Sequence, residues 1–313
     1  MLVALAGGVG AARLLRGLID VMAPADVTAV VNTGDDIVLH GLHISPDLDT
    51  VTYTLAGAGN PEQGWGLADE TWTAMEALAR YGGHTWFRLG DRDLATHMFR
   101  TQRLTEHATL CDVTAAVAEA WGVGVRLLPM SNDRVETRII IAGPAPGTSV
   151  EVGFQEWFVG RRHGVPVEAV RFLGADDATP APGVLKAIAG AEHVVICPSN
   201  PIVSIGPVLA VPGIEDAVAA RREDVVAVSP IVAGSALRGP ADRMMIDLGH
   251  EASVVGVARL YAPLAATLVI DEADADLAGA VEAEGVRPVV TPSIMSGPAE
   301  AAALARAVLA ARR

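Results

Sequence analysis

The stretch "VALAGGVGAARLLRGL", residues 3–18, decides the fold of this 313-residue chain. It runs from an apolar segment through Gly7, Gly8 and Gly10 into apolar positions spaced as on one face of a helix. A buried strand that turns over glycines into a helix is the opening unit of an open α/β sheet. Such a turn suits phosphate: small residues let the backbone come close, and the N–H groups at the helix start point at an anion with the helix dipole behind them. Against the dinucleotide fingerprint G-x-G-x-x-G the match runs Gly8, Gly10 and then Arg13, so a cation stands where the third glycine belongs. The second strand ends in "VVNTGDD" instead of a lone ribose-binding acid. Both departures count against a nicotinamide site. A tight turn without a ligand is the plainer alternative.

Further short apolar runs follow at 27–31, 125–128, 193–197, 225–228, 267–270 and 288–290. Helical patterns separate many of them, at 11–21, 69–81, 183–189, 214–222 and 299–311. Continuous apolar strands alternating with helices predict a Rossmann-like α/β fold, a mostly parallel sheet with helices on both faces. The middle of the chain is richer in aromatic residues and helical patterns, and Trp65, Trp72, Trp86, Trp121 and Trp157 all fall there. The expected organisation is one α/β unit over 1–313, with a core of 1–50 and 180–313 and a helical insertion, about 51–179, covering the ligand edge.

Composition narrows the function. A net charge of −14 excludes a general nucleic-acid or membrane surface, which needs clustered Lys and Arg. An anionic ligand on so acidic a chain implies a mediating metal. The two cysteines, Cys111 and Cys197, are too few and too far apart for a zinc framework or disulfide scaffold and read as buried small side chains. No apolar stretch approaches the ~20 residues that span a bilayer, and the start lacks a basic leader, so a cytoplasmic location is expected.

The loop "NTGDDIVLHGLHISPDLDT" places Asp35, Asp36, Asp47 and Asp49 within fifteen residues, with Asn32, Thr33, Ser45 and Thr50 among them. Carboxylates so dense repel unless a cation joins them, and hard oxygen donors suit Mg²⁺ or Ca²⁺, with Mg²⁺ favoured where phosphate completes the shell. The competing reading is a solvated acidic turn in which Asp47 or Asp49 caps a helix starting near Thr50. His40 and His43 form a weaker metal pair without a third ligand. In "WFRLGDRDLATH" the charges of Asp91, Arg92, Asp93 and His97 read equally as helix capping, whereas Arg88, after an aromatic pair, suits phosphate or a flat ring. "CPSNPIVSI" opens from a strand into Ser199, Asn200 and Ser204, and "VAVSPIVAGSALRGPADRMM" repeats the form. No nucleophile elbow or G-x-x-x-x-G-K-[ST] loop is present.

Read together, "LAGGVGAARLLRG", "VNTGDD", "HGLHISPDLDTVTYTLAG", "GWGLADETW", "WFRLGDRDLATH", "CPSNPIVSI" and "VAVSPIVAG" with "GPADRMM" resemble the 2-phospho-L-lactate transferase family, which builds coenzyme F420. They run in order from residue 5 to about residue 245. The resemblance implies a Rossmann-like core and a metal-dependent transfer. A guanosine-diphosphate-activated three-carbon acid gives its acid-phosphate to the ribityl hydroxyl of the deazaflavin Fo, and GMP leaves. It further implies that Asp49 and Arg88 contact Fo and that Asp35 with Asp49 holds the metal, Mg²⁺ with Mn²⁺ or Ca²⁺ as substitutes. Gly7, Gly8, Gly10, Arg13, Asn32, Thr33, Ser199, Asn200 and Ser204 would hold the guanosine diphosphate part.

Asp36, Asp47 and Asp49 all qualify as general base. Where related sequences often carry Lys, Arg88 stands here, and Asn132 replaces an acid common in that turn. An Ala- and Arg-rich composition resembles the actinobacterial version, for which phosphoenolpyruvate is the expected acid in place of phospholactate. A homodimer is expected, with no nucleic-acid or membrane partner. The rival is a non-catalytic relative of the same fold that binds a nucleotide sugar; "HGLHISPDLDTVTY" and "LGDRDLATH" favour the enzyme.

Overall fold

In a computed structural model, which describes residues 1–145 and 147–311, the chain forms fourteen strands. They are β1 (Leu2–Ala6), β2 (Val27–Val31), β3 (Ile37–Leu39), β4 (Leu42–Ile44), β5 (Arg126–Pro129), β6 (Glu136–Ala142), β7 (Ser149–Gly153), β8 (Val167–Leu173), β9 (His193–Ile196), β10 (Val225–Val228), β11 (Ile231–Val232), β12 (Ser235–Ala236), β13 (Thr267–Ile270) and β14 (Arg287–Val290). Seven make a parallel sheet in the order β14-β13-β10-β9-β1-β2-β5. These seven are the seven apolar runs. Counted along the chain, the order is 3-2-1-4-5-6-7, the doubly wound arrangement extended by a strand. Every residue of β1, β2, β10 and β13 is buried, as a sheet covered on both faces requires.

Helices cover both faces. The first, α1 (Gly8–Ile19), packs Leu14, Leu15 and Leu18 into one core, together with the C-terminal helix Pro298–Ala310. The second core lies on the opposite face and is built on the alternate residues of the same strands, Val3 and Leu5 against Leu2 and Ala4. This is the period-2 logic of a strand buried twice.

The segment 51–179 re-enters the sheet once, at the β5 edge strand, so its additions fall into two groups. Before β5 lie most of α2 (Pro46–Leu55), then α3 (Thr73–Arg80), α4 (Asp93–Thr105) and α5 (Leu110–Ala120). After it comes an antiparallel sheet, β7-β6-β8, where β6 alternates half-exposed and buried residues. That alternation buries Ile139 and Ile141 with Trp157, Val203 and Met244, and so props the turn that follows β9. One expectation fails at α2: the helix starts at Pro46, not near Thr50, because Pro46 at its first position is already set for helical geometry. Asp47 and Asp49 therefore lie inside its first turn. Among the described residues, no helix is long and apolar enough to cross a membrane.

Candidate active site

Strand order reverses between β1 and β9, and ligands of such sheets collect beyond the strand ends at that point. The glycine turn after β1 and the proline turn after β9 meet there. A Cβ on Gly10 would lie 2.1 Å from the Pro198 carbonyl oxygen, and one on Gly7 would lie 2.7 Å from the Ser204 Cβ. Both glycines therefore serve the approach of one loop to the other. Gly8 differs: its φ of +71° is the left-handed conformation glycine permits, and an added Cβ would meet only an Asp47 oxygen at 3.7 Å. The Gly8 N–H donates to the Asp47 carboxylate. The anion seat at the start of α1 thus already faces a carboxylate of the chain itself, unlike the free amides that receive a dinucleotide pyrophosphate.

Asp47 is the first of three neighbouring acids, of which Asp47 and Asp35 are buried and Asp36 half-buried. Asn32, fully buried at the end of β2, donates its Nδ2 to Asp47 Oδ2 at 3.0 Å and accepts the Gly34 N–H at 2.8 Å. Burial pushes Asp47 up to about 6, against the bonds from Asn32 and Gly8. Asp35 is held well above the usual carboxylate range by burial and then by the charge of Asp47. Burial raises Asp36 to about 8, although Ser45 Oγ donates to its Oδ2 at 2.6 Å. Buried oxygens without a partner include Asp36 Oδ1, Thr33 Oγ1 and, on the β9 loop, Ser199 Oγ, whereas Asn32 and Thr137 lie close enough to Asp35 for hydrogen bonding to oppose the rise in its pKa. A cleft of about 180 Å³ opens beside Asp35 and Asp36 and is walled by Trp86, Thr137, Phe154 and Gln155.

Asp49 faces a different environment. Both its oxygens are held by the Arg100 guanidinium, Nη1 on Oδ2 at 3.1 Å and Nη2 on Oδ1. Arg100 Nη1 also donates to the His43 carbonyl at 3.3 Å. His97 Nδ1 lies 3.7 Å from Asp49 Oδ2, and His97 Nε2 lies 3.2 Å from Asp93 Oδ2. Tyr53 OH donates to Asp93 Oδ1 at 2.6 Å. Burial works against the charge of Arg100, yet the pairing with Asp49 outweighs it and raises its pKa. Asp49, Asp93 and His97 are close enough to ligate one ion, but Arg100 and Tyr53 already satisfy the two carboxylates. These side chains form one buried network, in which His97 Nε2, 3.2 Å from Asp93 Oδ2, is the atom without a well-aligned hydrogen-bond partner.

Two half-buried carboxylates set the loop that carries Arg88. Asp91 accepts the N–H groups of Thr73 and Ala74 and so caps α3; Glu70 accepts those of Arg92 and Asp93, each at 2.8 Å, and so caps α4. Arg88 stacks 4.0 Å over the Trp72 ring and stays exposed.

The sequence-derived residues thus divide. Gly8, Asn32, Thr33, Asp35, Asp36, Asp47 and Ser199 line the crevice or carry its unpartnered oxygens. Asn200 caps its own turn, accepting from Ile202 and Val203, while Ser204 backs Gly7. Arg13 donates to the Met295 carbonyl at 3.0 Å. Asp49 belongs with Arg100, and Asp36 is the acid that senses both Asp47 and Asp49. His40 lies exposed in a hairpin turn at positive φ, and among the described residues the His43 side chain joins no ligand cluster. Arg100 and Thr137 escaped sequence reasoning. The spacing 93, 97, 100 on one helix face was the available signal for Arg100; Thr137 sits mid-strand and carried none.

The family model for 2-phospho-L-lactate transferase CofD matches residues 2–297. The chain belongs to that family. It is 50% identical over 312 residues to the phosphoenolpyruvate transferase of Kitasatospora aureofaciens, covering 99% of this chain and 97% of that one. It is 42% identical to the phosphoenolpyruvate transferase of Mycolicibacterium smegmatis, covering 97% and 96%. A solved Bacillus halodurans protein of the UPF0052 family superposes with a TM-score of 0.60 at 17% identity, over 98% of each chain, and shares the fold. Like the rest of the family, the chain is a transferase, and its relatives place it among the phosphotransfer enzymes of coenzyme F420 biosynthesis.

Proposed function

We propose that this transferase moves a phosphoenolpyruvyl group from a guanosine-diphosphate-activated donor to the ribityl hydroxyl of Fo. The observation that carries the reading is the set of unpartnered buried oxygens beside the turn at the start of α1. Three carboxylates and two threonine hydroxyls, with no sulfur and no imidazole, fit a hard cation such as Mg²⁺. Asp35 with Asp47 and Thr33 would hold it, and when bound it supplies charge neutralisation for the diphosphate. The relatives' names supply the acid, and family resemblance supplies GDP and Fo.

The chain's own residues do the rest. The crevice between the β1 and β9 loops orients the diphosphate, which matters because phosphoryl transfer chiefly needs positioning and charge stabilisation. The Fo hydroxyl oxygen bonds to the phosphorus that bears the acid, and the bond from that phosphorus to the bridging oxygen breaks, releasing GMP. Asp36 accepts the hydroxyl proton through its Oδ1, which has no hydrogen-bond partner. Asp49, clamped by Arg100, instead presents a fixed carboxylate edge to the acceptor, and Arg88 offers its planar face from the Trp72 stack. Mass spectrometry after incubation with Fo, Mg²⁺ and the activated acid checks this reading. A deazaflavin carrying the phosphoenolpyruvyl group is expected; unaltered Fo, with tight binding of a nucleotide sugar, would overturn it in favour of a binding protein.

A further inference from the structure

Arg238 lies in the loop after β12, 225 positions beyond Arg13 in sequence, yet it reaches the start of α1. Its Nη1 lies 2.8 Å from the point where a Cβ on Gly64 would stand, and the Val9 Cγ1 lies 2.8 Å from that same point. Val9 is in the first turn of α1, between Gly8 and Gly10. The Arg238 guanidinium is held from behind: Nη1 donates to the Gln63 carbonyl and Nη2 to the Glu62 carbonyl at 3.1 Å. Arg13, one turn further along α1, is held by the Met295 carbonyl alone. Among the described residues, neither guanidinium has a carboxylate partner, whereas Arg16, three positions on, pairs with Asp20.

Two neighbouring arginines without a counter-charge are unexpected in a chain with 37 acidic and 23 basic residues. Burial lowers the pKa of Arg13, and the charge of Arg238 adds to that, so the two guanidinium groups are near enough to repel. Of five N–H donors each, Arg238 spends two on carbonyls and Arg13 one, which leaves forks fixed in place and open to an anion. The other side of the α1 start carries Asp47 and Asp35. The crevice is therefore acidic on one wall and basic on the other.

We propose that Arg238, with Arg13, forms the basic wall of the donor seat and selects a nucleoside diphosphate over a monophosphate. The proposal rests on the placement of the donor diphosphate at the α1 turn. A diphosphate offers the guanidinium forks a second phosphate that a monophosphate lacks, so GMP is held more weakly once formed. Arg238 is exposed and makes no core contact, so its removal leaves the fold intact. Calorimetric titration of GDP and of GMP, with Mg²⁺, into the wild type, Arg238→Ala and Arg238→Lys tests it. In Arg238→Ala, GDP affinity is expected to fall at least tenfold with GMP affinity changed less than threefold, while Arg238→Lys recovers part of the loss. Equal GDP affinity in wild type and Arg238→Ala would overturn the proposal. Absence of GDP binding to the wild type would instead overturn the donor reading beneath it.

Discussion

At the scale of single residues, Asp36 in the loop after β2 and Asp49 in the first turn of α2 are acids of one short stretch, and their surroundings give them opposite duties. Asp49 is buried and its charge is matched by Arg100, so removing either partner leaves an uncompensated charge inside the protein. Asp49→Asn is therefore expected to cost about 3 kcal/mol of stability, read as a shift in the urea midpoint. Pairing it with Arg100→Met should cost less than the two single changes added together. Asp36 and Asp47 predict a pH effect of definite sign. Their folded-state values, about 8 and about 6, lie above the ordinary 3.8, so the folded protein keeps protons that the unfolded chain has lost. Their contribution to stability is full below pH 3.8 and is lost as pH rises through 6 and 8. In chelator, urea midpoints should fall from about pH 5 to about pH 9, and Asp36→Asn should flatten the upper part of that fall. The density of acids was legible in "NTGDD" and "SPDLDT" because repulsion depends on composition; their sorting was not, because Arg100 stands 51 positions from Asp49.

At the scale of elements, the site depends on loops locked by backbone rather than by side-chain bulk. Gly10→Ala forces a methyl onto the Pro198 carbonyl, and the β1 and β9 loops must part; a loss of about 1–3 kcal/mol, seen as a lower melting temperature, is expected together with weaker nucleotide binding. Glu70 holds the first turn of α4, which carries Asp93, His97 and Arg100, so Glu70→Ala should cost about 1 kcal/mol and lower turnover through the Asp49 network, measured by urea unfolding beside steady-state rates. Helix existence was readable from periodicity along 11–21 and 299–311, where Leu14, Leu15 and Leu18 or Leu304 and Val308 mark a buried face, although the helices observed run over 8–19 and 298–310. The antiparallel β7-β6-β8 sheet was not read, since β6 alternates over only seven residues and its partners return from beyond a turn.

At the scale of the whole molecule, the seven apolar runs suffice to dictate a doubly wound sheet, because only a sheet covered on both faces tolerates them. The order of its strands places the β1 and β9 loops side by side, and the strand-to-helix glycine turn becomes one wall of a crevice between acids and arginines. That two-walled crevice was not legible in the sequence, since it joins Val9, Gly64 and Arg238 across the chain. In the proposed reaction, cleavage of the donor is coupled to the deazaflavin acceptor. The initial rate of GMP release, followed against Fo concentration at fixed donor and Mg²⁺, tests it most directly. The rate should be near zero without Fo and rise to saturation with it; GMP release that is absent at every Fo concentration, or as fast without Fo as with it, would contradict that coupling.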